Sequence, residues 1–146
     1  MKNSFLDYQI FPIVEIDEFS TTLIGENAKG VLIGYIEETL DEQRIYVEKI
    51  MAAAKLNLEK DCLILRGSAE TAFLNFTQIR QGQTLKKAVL FGLKPSDIGL
   101  NITMPLYQPT LFGDCLFLFV DKPALIETSK ERRVALWTCL QHLFLQ

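Results

Sequence analysis

Val31-Leu32-Ile33-Gly34-Tyr35-Ile36, then Thr39-Leu40-Asp41-Glu42, then Cys62-Leu63-Ile64-Leu65 decide the fold class. The two outer runs are short and continuously apolar, the pattern of strands buried on both faces. The four residues between them have the form of a capping box, in which the Thr hydroxyl accepts from the amide at the Glu position and the Glu reaches back. Val47, Ile50, Met51, Ala54 and Leu58 then recur at helical spacing, which predicts an amphipathic helix over 40–57. Strands alternating with helices imply a mainly parallel sheet with helices on both sides and right-handed crossovers.

Working outward, Ala88 to Phe91 reads as a third strand and Cys115 to Val120 as a fourth. Gly67-Ser68 opens a helical stretch through Phe73 and Phe76 to Ile79, and Gly82 ends it. Pro95 to Gly99 is a turn or a single helical turn. Residues 99–114 contain Gly99, Pro105, Pro109 and Gly113 and read as a long irregular connection. Asp121-Lys122-Pro123 is a turn, and Thr128 to Glu131 forms a second capping box. The closing helix carries Leu136, Trp137, Leu140, Leu143 and Phe144, with Trp137 expected to cover the sheet as a core residue. The fold class expected is α/β, a three-layer α/β/α sandwich with a mainly parallel four-stranded sheet. It forms a single domain over residues 30–146. Residues 1–29 stand apart as an N-terminal partner-binding or edge segment, in which Pro12 prevents one long helix.

Composition narrows the function classes. A chain of 146 residues with 49% hydrophobic and 23% charged residues has enough apolar content for one self-sufficient core. A net charge of −3 argues against gripping nucleic acid by neutralising phosphates, so little direct nucleic-acid binding is expected. Lys86-Lys87 and Arg132-Arg133 read as solvated pairs. Cys62, Cys115 and Cys139 are odd in number, widely spaced and set in apolar runs, which suits a reducing cytoplasm. The N-terminus shows no signal-peptide pattern, and no apolar run reaches the length of a membrane span.

No catalytic, metal or cofactor motif stands out. The glycines after the strands are isolated, whereas phosphate loops need them clustered. Glu37-Glu38 and Asp41-Glu42 suit a helix start better than a magnesium site. His142, the only histidine, has no acid or nucleophile beside it in sequence. Partner surfaces are the stronger candidates. Phe5, Leu6, Tyr8, Ile10 and Phe11 lie ahead of the first core strand and include aromatic anchors of the kind interfaces prefer. Leu106, Tyr107, Leu111 and Phe112 make an unusually apolar connection, which either folds back on the core or marks a second interface.

The closing cassette, with Arg133-Val134-Ala135-Leu136-Trp137 after a Pro-containing turn, resembles the psi subunit family of bacterial DNA polymerase III. Leu6-Asp7-Tyr8-Gln9-Ile10-Phe11 is similar to that family's Leu-Gly-Ile-x-x-Trp segment, with Asp7 in place of the Gly and Phe11 in place of the Trp. The strand–helix–strand order from Val31 to Leu65 also follows the family. The resemblance implies a fold shaped like uracil-DNA glycosylases without their catalysis. It also implies an adaptor between clamp-loader subunits and a chi-like subunit associated with single-strand-binding protein, its N-terminal segment docking on the clamp-loader collar. The alternative is a small glycosylase-like or nucleotide-binding enzyme. Its site would lie at the strand carboxyl ends and draw on Glu37, Glu38, Gly67, Ser68 and Lys94.

Overall fold

The computed structural model describes residues 22–36, 42–67, 76–79, 81–82 and 84–145. The strands are β1 (Thr22–Ile24), β2 (Val31–Ile36), β3 (Cys62–Gly67), β4 (Lys87–Phe91), β5 (Thr110–Phe112) and β6 (Cys115–Val120). The α-helices are α1 (Glu42–Ala53), α2 (Leu58–Asp61), α3 (Phe76–Ile79), α4 (Pro123–Glu127) and α5 (Lys130–Phe144), with a 3-10 turn at Pro95–Ile98. Together the strands form one sheet in the order β1-β3-β2-β4-β6-β5.

The α/β class stands, but the sheet has six strands where four were expected. The four continuous apolar runs are the four inner strands, and every pairing among them is parallel. Each edge carries an added three-residue antiparallel strand. Neither edge strand is long enough to show an apolar run of its own. β5 is made by a hairpin: Phe112 faces Cys115 across a two-residue turn, with Gly113 at φ 65°. The connection expected over 99–114 is therefore not irregular throughout. A Gly-Asp pair between two apolar runs is a hairpin signal.

The sheet has a separate core on each face. Val31, Ile33 and Tyr35 of β2 point towards α1 and α5, packing with Val47, Met51, Leu136, Leu140 and Leu143. Leu32 points the other way, into a cluster with Phe76, Ile79, Ile98 and Phe117 beneath α3 and the 3-10 turn. Strand residues alternate sides, so a run of consecutive apolar residues supplies both cores.

Three boundaries differ from the sequence expectation. The helix predicted over 40–57 stops at Ala53. There the Lys55 amide donates to the Ala52 carbonyl and the Leu56 amide to the Met51 carbonyl, the bonding of a Schellman motif. Lys55 takes the left-handed position at φ 64°, which is usually given to Gly. Leu58 belongs instead to α2, where the Asn57 side chain accepts from the amides of Glu59 and Lys60. At the closing helix the cap is Ser129 rather than Thr128: the Ser129 hydroxyl accepts from the Arg132 amide, and Thr128 Oγ1 donates back to Ala124 and Leu125. Pro123 opens the short helix α4 instead of a turn, its fixed φ being suited to the first helical position.

The turn Gly25–Gly30 ties β1 to the strand edge through backbone bonds from Glu26, Asn27, Ala28 and Lys29 to residues 59–62. Gly25 sits at φ 107°, and a Cβ there would lie 2.3 Å from the Cys62 carbonyl oxygen, so only glycine fits. Thr39, Leu40 and Asp41 of the first capping box, the stretch from Ser68 through Phe73 to residue 75, and the N-terminal residues up to 21 lie outside the described residues.

Candidate functional site

Tyr46, Ile50 and Ala53 lie at i, i+4 and i+7 on α1 and form one stripe. Arg133, Leu136, Trp137 and Leu140 form the matching stripe on α5. The two stripes and Ile126 of α4 enclose an apolar groove of about 150 Å³. Ile126, Leu136 and Leu140 are its buried floor.

Trp137 does not take the core position expected of it. Its neighbours Leu136 and Leu140 are 3% and 0% exposed, whereas Trp137 is 37% exposed and forms the groove wall. The apolar residues run around much of α5, so spacing alone leaves the facing direction of a residue beside the buried stripe undecided. Arg133 is held at one end of the groove by its Nη1 donating to the Glu127 carbonyl. Burial raises the pKa of the Tyr46 hydroxyl; the Glu127 charge adds to the rise and the Arg133 charge opposes it. The groove thus offers a Trp, a Tyr and an Arg over an aliphatic floor, the side chains most often found at binding hot spots.

The second sequence candidate splits in two. Leu106, Leu111 and Phe112 are 51%, 68% and 41% exposed and follow the outer edge of β6, where they stand opposite Phe119, Leu116 and Cys115. Tyr107 turns inward. Its amide donates to the Phe119 carbonyl, and its hydroxyl donates to Asp121 Oδ2 at 2.8 Å. Arg132 Nε meets the same oxygen at 2.9 Å, and the Cys139 thiol donates to the Tyr107 carbonyl. Burial, then the Asp121 hydrogen bond, raises the Tyr107 pKa. Tyr107 is an anchor for the 106–109 connection, held at φ 58°. Phe5, Leu6, Tyr8, Ile10 and Phe11 lie outside the described residues.

The residues of the enzyme alternative are only partly described. Glu37, Glu38 and Ser68 fall outside the described residues. Gly67 ends β3. Lys94 precedes the 3-10 turn, its amide donating to the Asp97 carboxylate at 2.8 Å. His142 is exposed on α5. No group of three or more His, Cys, Asp or Glu side chains that could hold a metal occurs among the described residues. None of the described helices is long and apolar enough to cross a membrane. No family model and no curated protein matches the chain.

Proposed function

We propose that this chain is a non-catalytic adaptor of the bacterial replicase, similar to the psi subunit, in a cytoplasmic protein assembly. The observation that carries the reading is Trp137. It belongs to the Arg-x-Ala-Leu-Trp helix on which the resemblance rests, and its ring is left partly exposed beside an aliphatic floor. In this reading the sheet and its two covered faces are an α/β/α sandwich of the glycosylase shape, used as a rigid support. The α1–α5 groove receives a chi-like subunit. The N-terminal segment with Phe5, Leu6, Tyr8, Ile10 and Phe11 reaches the clamp-loader collar, and the edge formed by Leu106, Leu111 and Phe112 is a secondary contact.

Titration of labelled wild-type chain with the clamp-loader assembly and with a chi-like subunit tests it. Saturable binding of the chi-like subunit, weakened about 30-fold by Trp137→Ala, is the expected result, equivalent to a hot spot of about 2 kcal/mol. Absence of binding to both partners refutes the adaptor assignment.

A further inference from the structure

The fold brings lysines from three separate stretches of sequence to the end of the sheet where the parallel strands begin. Lys29 precedes β2, Lys55 follows α1, and Lys86 and Lys87 lead into β4; all four line one cavity of about 310 Å³. Lys29 and Lys86 also line a neighbouring cavity of about 350 Å³ across the Gly30–Lys86 backbone contact, so the two adjoin along one basic trough. Val31, Ala54 and Leu56 are buried behind it, and the half-buried Phe144 and Leu145 complete its lining.

Two of these lysines have structural partners. Lys87 Nζ donates to the Leu143 carbonyl at the C-terminus of α5 and sits over the Phe144 ring. Lys29 Nζ lies 3.7 Å from Asp61 Oδ2. Lys55 and Lys86 are exposed and have no ion pair among the described residues. Lys55 also holds its left-handed position at φ 64° at a conformational cost that glycine would avoid. The Schellman end of α1 sets that position, so the side chain is held at the mouth of the cavity by the helix end itself.

We infer that this trough binds the phosphodiester backbone of single-stranded nucleic acid without regard to sequence. Lysine is a point-charge binder of phosphate. A succession of two small concave sites with lysines at intervals fits an extended chain of single negative charges. The overall charge of −3 conceals this local concentration. The inference concerns the isolated chain and stands apart from the adaptor reading.

Fluorescence anisotropy with a labelled oligothymidylate at several salt concentrations tests it. Binding should weaken with salt with a log–log slope of about −0.7 per phosphate contacted, so −2 to −3 for three or four lysines. Lys55→Gln with Lys86→Gln should lower affinity at least about tenfold and flatten the slope by about 0.7 per lysine removed, while Lys130→Gln, exposed at the start of α5, should change neither. Lys55→Gly should raise Tm and still weaken binding, a combination that a purely structural lysine does not give. Unchanged affinity in the double variant, equal binding of duplex, or equal competition by polyglutamate of matched charge would each overturn the assignment.

Discussion

Replacing Trp137 by Ala separates folding from docking because the ring serves both only in part. Full truncation of a buried Trp costs about 3–5 kcal/mol. The residue is 37% exposed, so a little under two thirds of that burial is lost, or about 2–3 kcal/mol. For a domain of 146 residues this lowers Tm by about 6–9 °C without abolishing folding. Trp137→Phe retains most of the contact with Leu136 and Leu140 and should cost under about 1.5 kcal/mol. Thermal unfolding followed by far-UV circular dichroism measures both variants. The chain has a single Trp, so its fluorescence reports this site alone. Acrylamide should quench the free protein readily, and partner binding should protect the ring. A variant that fails to fold would show that the ring is core and the groove unsuited to docking. A Tm within about 1 °C of wild type would show that the ring does not pack on the floor.

Other predictions follow from local geometry. In Gly34→Ala the new methyl would lie 2.5 Å from Leu90 Cδ2 and 3.2 Å from Leu93 Cδ1, so a central strand is overpacked. Chemical denaturation should show a loss of about 1–3 kcal/mol, reduced when Leu90→Val makes room. Burial, reinforced by Asp61 and opposed by Lys29, pushes the Cys62 thiol up to about 12. Its contribution to stability is full below the unfolded thiol's pKa near 8.5 and is lost as pH rises towards about 12, because only the unfolded chain releases the proton in that window. The denaturation midpoint should therefore fall between pH 8 and pH 10 by more in wild type than in Cys62→Ala, taking about 8.5 as the unfolded reference. Removing residues 1–16 should leave stability within about 1–2 kcal/mol while abolishing association with the clamp loader. Unfolding of the truncated chain would place that segment in the core.

The inner architecture was legible because burial on both faces demands consecutive apolar residues. Val31–Ile36, Cys62–Gly67, Lys87–Phe91 and Cys115–Val120 each carry that pattern. The edges were not, since a three-residue strand needs only one paired side and leaves no periodicity to read. β5 was recoverable from Gly113-Asp114, but β1 has no comparable turn to a neighbouring strand: its partner is β3, reached only after β2 and α1. The end of α1 was hidden for a different reason. Helix stops are sought at Gly or Asn, and here a Lys occupies the left-handed position.

The two surfaces differ in how far sequence could reach them. The groove was half visible: the spacing of Leu136 and Leu140 marked the buried stripe, but the direction of Trp137 depends on where α1 lies, and sequence periodicity within α5 carries no information about that. The lysine trough was invisible. Lys29, Lys55 and Lys86-Lys87 are separated by some thirty residues at each step and became neighbours only through parallel pairing. In a parallel sheet every strand begins at the same end, so charges placed just before successive strands accumulate there whatever their distance along the chain. Val31 pairs with Cys62 and with Lys87, which brings the Lys29 turn beside the Lys86 turn. Net charge sums over the molecule and loses this. A basic site in such a fold is better sought by adding charges at strand starts and helix ends than by looking for basic runs, and Lys55, at the end of α1, belongs to that count.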